Sequence, residues 1–231
     1  MAMHSEAQAL PGLALSWRQL AGVAGIVGVI LFVIGFGLMA DAPTANDSVD
    51  NVRSWFEDNG SRLLAAYYLI TIGAVIFLVP FFLGLRSLLA EAEGGEALWT
   101  QLGFLGGVLF IVLGSIGMTY WGAISLGVDD LDDGTIMALM WADEFAFSLF
   151  GLAWALYFIG TGLATLRTGV FWSWLGGLEV ILAVVTVIGA ASMMDRDSEG
   201  ILAGLLWIPG LIGFGVVILL QSVGLLTRKA T

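Results

Sequence analysis

Cysteine is absent from this chain, and histidine occurs once, at His4. Without thiols there are no disulfides, no thiolate metal sites and no cysteine nucleophile. A single imidazole in a polar N-terminal stretch cannot build a Ser–His–Asp triad. It also excludes imidazole-ligated haem and His-rich zinc, copper or iron centres inside a membrane. Charge is scarce as well. Charged residues make up 12% of the 231 positions, about half the share in a soluble domain. Bases number 8 against 19 acids, a formal net charge of −11, which argues against nucleic acid as a partner and against anionic lipid headgroups as the main attraction. A glycine-rich phosphate loop in a strand–helix setting, a zinc-protease motif and paired aspartates at the centres of apolar runs are missing too. These absences read as a chain that is not an enzyme and carries no cofactor or metal.

What is present is apolar. Hydrophobic residues reach 59% and mean hydropathy is +0.97. One water-soluble core of this length would leave much of that surface exposed, whereas a bilayer solvates it directly. Spanning needs about 20 largely apolar residues. Six runs qualify, at about 20–40, 63–89, 102–126, 142–166, 171–193 and 201–226. The fold class expected is all-α: one six-helix transmembrane domain over 18–227, between short cytoplasmic tails at 1–17 and 228–231. The first run is read as a retained helix, because 1–17 lacks the basic start and cleavage site of a signal peptide.

The links differ in character. In the first, Val49, Val52, Trp55 and Phe56 recur at helical spacing behind Asp47 and Ser48, and Asn59-Gly60 reads as a stop. The pattern predicts a short amphipathic helix over 48–58 lying on the membrane surface. Another link carries Asp129, Asp130, Asp132 and Asp133 with no base. It departs from the Ca²⁺-loop pattern and reads as a solvated loop. Arg18, Arg86, Arg167, Arg228 and Lys229 would share one face, and Arg53, Arg62 and Arg196 the other. That bias puts both termini in the cytoplasm of a cell, or inner, membrane. Trp17, Trp99, Trp172 and Trp174 would mark the inner interface and Trp121 and Trp141 the outer one. Trp154 and Trp207 fall deeper, in packing positions.

An internal echo pairs Trp99, Leu102 and Gly103 with Trp172, Leu175 and Gly176. It suggests that the second and third spans, and the fourth and fifth, are duplicated hairpins of one orientation, as in some transporters. Chance similarity among Leu/Gly/Ala-rich helices is the other reading. Ser54-Trp55-Phe56, Arg62-Leu63-Leu64-Ala65-Ala66, Leu83-Gly84-Leu85-Arg86-Ser87 and the stretch from Gly162 to Gly169 before Trp174-Leu175-Gly176 recur as a pattern. In these the chain resembles a loosely defined group of uncharacterised small polytopic bacterial membrane proteins. That group has no assigned activity, so the resemblance implies architecture and no mechanism.

Ionisable residues inside a bilayer cost at least a few kcal/mol and mark candidate sites. Glu179 lies seven residues past Trp172, within the fifth run. It is either a proton-exchanging carboxylate or a structural one paired with Arg86, Arg167 or Arg18. Asp143 and Glu144 sit near the outer end of the fourth run. Their side chains point about 100° apart, so one of them could pair with Arg62, or both could continue the acidic outer loop. The Gly22/Gly25/Gly28 series and Gly103/Gly107 are small-residue faces that let helices approach, and Pro80 and Pro209 should bend their helices. Two classes remain. One is a non-catalytic accessory or scaffold component that contacts lipids and packs on other membrane proteins, or on itself, through glycine-rich faces. The alternative is a small proton-coupled transporter or channel using Glu179, Asp143 or Glu144.

Overall fold

The computed structural model describes residues 15–193 and 201–227, without the side chains of 192–193 and 201–208. His4, Arg196, Arg228, Lys229 and the Trp207 side chain lie outside the described residues. The chain is an all-α polytopic bundle: α1 (Trp17–Gly37), α2 (Val49–Ile72), a π-helical segment (Gly73–Leu78), α3 (Val79–Glu93), α4 (Leu98–Gly127), α5 (Asp133–Thr168), α6 (Ser173–Met193) and α7 (Ile201–Thr227). Six helices are long and apolar enough to cross a membrane, which returns Trp17 and Thr227 to one side. That side is called proximal below; the other, with the 38–48 and 128–132 links, is distal.

The helices close into a ring. α5 packs between α4 and α6, α6 on α7, α7 on α1, and α1 on the long α2–α3 helix, which meets α4. α3 also reaches α5 across the centre. The Gly22/Gly25/Gly28 and Gly103/Gly107 faces let helices approach inside the ring. Gly22 lies against Ser222 and Leu226 of α7, Gly25 against Ser222 and Phe81, and Gly103 against Thr161. Small residues admit whichever helix comes first, and here that helix is the chain's own.

The segment 48–58 is helical as expected, with Ser48 as cap, but it is not a separate surface helix. Helix runs without a break from Val49 to Glu93, 45 residues or about 68 Å, more than twice the hydrocarbon thickness. Gly60 carries on in the helix, held by Ser125, whose hydroxyl donates to the Gly60 carbonyl at 3.3 Å. Likewise α5 starts at Asp133, nine residues before the expected 142. These overlong ends build a cap above the spans with a core of its own: Val52, Phe56, Leu63, Ile124, Ile136 and Met140. Trp121, expected at the lipid interface, packs edge-on against Trp55 and Phe56 in this core, at 6.0 and 5.7 Å. The charged residues on the outside of α2's first turns, Asp50, Glu57 and Asp58, keep that surface in water.

Two devices hold the cap. Asp132 caps α5 by accepting from the Thr135 amide at 3.0 Å and hydroxyl at 2.8 Å. The amide bond foremost holds its carboxyl below the ordinary 3.8, so this cap is fully formed above pH 3.8 and is lost as pH falls further, through the lowered folded value. Arg53 donates to the carbonyls of Val128 (2.5 Å) and Leu131 (2.8 Å) and to Asp133 (2.7 Å), tying the α4–α5 link to α2. Replacing it, as Arg53→Gln, should raise amide hydrogen exchange severalfold across 127–135 and leave the spans protected. Unchanged exchange there would mean that Arg53 does not hold the link.

Pro80 acts otherwise than by a plain bend. The backbone widens into the π segment just before it, and the Val79 amide donates to Ala74, five residues back. The wider turn takes up the clash a proline ring makes with the carbonyl four residues earlier.

Candidate functional site

The membrane-level polar residues fall into two groups, both built on α5. In the proximal half, Glu179 of α6 is wholly buried. It lies six residues into α6, about 9 Å from its start. Gly162 of α5 packs directly on the Glu179 Cβ, which brings the carboxylate against the α5 backbone. Glu179 Oε2 is 2.5 Å from the Thr161 hydroxyl, and Oε1 accepts from the Gln221 side-chain amide of α7 at 3.2 Å. The Tyr157 hydroxyl donates to Gln221 Oε1. The Thr161 hydroxyl also lies 2.9 Å from the carbonyl oxygen of Tyr157. Four side chains from three helices thus form one connected set with no member exposed.

None of the arginines expected to neutralise Glu179 reaches it. Arg18 pairs with Glu91. Arg86 donates to Gln101 at 3.0 Å and stacks over Phe104. Arg167 is exposed in the last turn of α5. Arg86 does stand on the wall of a narrow cleft shared with Thr100, Phe104, Tyr157 and Thr161, which has room for about one water. Tyr157 and Thr161 therefore face this cleft on one side and the Glu179 set on the other.

Near the distal end, Asp143 is buried against Gly117 of α4, with Trp121 as its polar neighbour, and its Oδ1 has no hydrogen-bond partner. Glu144 is half-buried and faces the Ala45 backbone N–H in the α1–α2 link. Arg62, the expected partner of this pair, bonds Asp41 at 2.6 Å and stacks over Trp55. Asp143 thus belongs to the bundle interior and Glu144 to the base of the cap. Among the described residues no group of three or more His, Asp or Glu is placed to hold a metal.

Between the two groups lies an aromatic layer. Phe110 sits 4.6 Å from both Phe150 and Phe214, and Trp154 is 4.7 Å from Phe150 and 5.1 Å from Phe214. Phe32 closes the layer from α1, 5.8 Å from Phe110. Such offset and tilted pairs are favourable beyond the area they bury.

Sequence reasoning singled out Glu179 but missed Thr161 and Tyr157. Their signal is the run Tyr157, Thr161, Thr165 at four-residue steps, which puts polar groups on one face of an apolar helix. No protein-family model matches the chain, and no curated protein or solved structure matches it either.

Proposed function

We propose that this chain is a non-catalytic accessory or scaffold component of a cell membrane, with the proximal face in the cytoplasm. The aromatic layer carries this reading. A carrier needs polar groups along its path, whereas here Asp143 and Glu179 are separated by stacked rings. Measured along α5, Asp143 and Thr161 stand about 27 Å apart. A transporter or channel would have to open that layer, so transport is the weaker reading. The orientation draws on Arg18, Arg86 and Arg167 at the proximal end, against the acid-rich distal links.

A surface open to a partner is the groove of about 360 Å³ between α1 and α7, lined by Val33, Phe36, Leu78, Ile212, Phe214 and Val216 among others. It opens toward hydrocarbon. A transmembrane helix of another protein would gain there by close packing, the main source of helix association in lipid.

The cysteine-free chain makes the test direct. Single cysteines at Val33 and Ile212 should cross-link in native membranes to one partner of discrete mass, and a cysteine at Ile181, on another lipid-facing surface, should not. Identical behaviour at all three positions would sink the reading. In intact cells, Asp130→Cys should react with a membrane-impermeant thiol reagent. Reaction only after lysis would reverse the orientation.

A further inference from the structure

The hydrogen bonding around Thr161 goes beyond anything an accessory role requires. A hydroxyl carries one hydrogen. The Thr161 oxygen lies within bonding distance of two oxygens, the Tyr157 carbonyl at 2.9 Å and Glu179 Oε2 at 2.5 Å. The carbonyl can only accept. Thr and Ser hydroxyls in apolar helices habitually donate to the carbonyl four residues back, and this chain does so repeatedly: Thr186 to Leu182, Thr168 to Ala164 and Ser115 to Ile111, each at 2.7 Å. If Thr161 follows the same habit, its hydrogen is spent on Tyr157. A 2.5 Å contact between Thr161 Oγ and an ionised carboxylate would then set lone pair against lone pair. The contact closes only when Glu179 Oε2 carries a hydrogen and donates it.

With that one proton each contact of the set has one donor and one acceptor. The Tyr157 hydroxyl donates to Gln221, the Gln221 amide to Glu179 Oε1, Glu179 Oε2–H to Thr161, and Thr161 back to the Tyr157 carbonyl. The circuit begins and ends on one residue. It also explains why Arg18, Arg86 and Arg167 all stand away from the site, since a neutral acid needs no counter-charge in a medium where an unpaired carboxylate is costly. Other groups facing the site do not change this. On α5 the titratable one is Tyr157, and α7 offers Gln221, which does not titrate. Arg86 of α3 faces the cleft beyond Thr161 and is committed to Gln101 and Phe104.

We propose that Glu179 is a one-proton binding site, occupied in the folded bundle and exchanging with the proximal face through the α3–α4–α5 cleft. In exchange, the Glu179 proton passes to Thr161 Oγ as the Thr161 hydrogen leaves to a water entering the cleft. The carboxylate left behind is held by the Gln221 amide until the reverse transfer restores it. The Thr161 hydrogen bond to the Tyr157 carbonyl opens in the step, and no other covalent bond is made or broken.

Infrared spectroscopy of the full chain in lipid bilayers tests this at neutral pH. The carbonyl stretch of a neutral carboxylic acid should be present, should shift with ¹³C-glutamate labelling, and should lose one component in Glu179→Gln. That component should shift on transfer to D₂O. In Thr161→Val, a near-isosteric change, it should persist with a changed frequency and exchange at least about tenfold more slowly, roughly 1.4 kcal/mol in barrier. Thr100→Leu, which fills the cleft from the α4 side without touching the circuit, should slow exchange and leave the frequency alone. A neutral-acid region identical in wild type and Glu179→Gln would overturn proton occupancy. A Glu179 band whose exchange is indifferent to both cleft variants would overturn the route. Should Glu179→Gln not fold, the ¹³C-labelled wild type compared with Thr161→Val decides occupancy alone. Cross-linking at Val33 and Ile212 reports on the accessory reading independently, so either idea can fail without the other.

Discussion

Gly106→Ala and Gly160→Ala should each destabilise the bundle by about 3 kcal/mol, the upper range for overpacking a tight core, seen as a large drop in melting temperature in detergent. A Cβ on Gly106 would come 2.3 Å from the Tyr157 backbone nitrogen, and one on Gly160 would come 2.2 Å from the nitrogen of Gly103. In both cases the obstacle is main chain, which cannot swing aside like a side chain. The two helices would have to part along the seam that also positions Tyr157 and Thr161. Gly122→Ala and Gly177→Ala are the controls. A Cβ at either position meets nothing within 4 Å, so the gain in helix propensity of up to about 1 kcal/mol is free to appear. If Gly106→Ala melts alongside Gly177→Ala, the α4–α5 crossing is looser than described.

Trp154→Ala is expected to cost about 3–5 kcal/mol. Trp154 is fully buried among Phe110, Phe150 and Phe214. Lipid offers apolar surface as good as the protein interior, so the loss is not one of hydrophobic transfer. It comes from contacts forfeited around a hole that the stacked rings cannot close. Trp154→Phe should lose a fraction of that, since a ring still fills most of the space. The check is equilibrium unfolding in a mild detergent titrated with a denaturing one. Wild-type stability in Trp154→Ala would show that the layer is already slack, and would reopen the transport reading.

The six spans were legible because length and apolarity are properties of each segment alone. The cap was not. Asn59-Gly60 carries the chemistry of a helix end, yet the helix runs through it, with Ser125, more than sixty residues on, bonded to the Gly60 carbonyl. The first two turns of α5 were read as loop because Asp132, Asp133 and Gly134 look like solvent-facing turn residues. There Asp132 caps the helix through Thr135, and Ile136 and Met140 add packing with Val52, Phe56, Leu63 and Ile124. For the site, a lone carboxylate in an apolar run pointed to Glu179. The expectation of arginine partners assumed an ionised acid. The partners found, Thr161 and Gln221, come from two other helices and are ordinary polar residues that only the fold brings together.

The widened turn before Pro80 sets the rotational phase of the longest helix. Each residue advances a helix by about 100°, and a π turn absorbs one residue more than an α turn. The distal half, from Val52 to Ile70, and the proximal half, from Phe81 to Leu89, are therefore two rods joined out of step. Each aims its own apolar stripe: one at the cap and α1, the other at α1 and the ring centre beside Tyr157, where Phe82 lies 5.4 Å from the Tyr157 ring. A single supernumerary residue serves as an angular offset. It lets one continuous helix satisfy two packing environments whose directions a uniform α-helix could not reconcile.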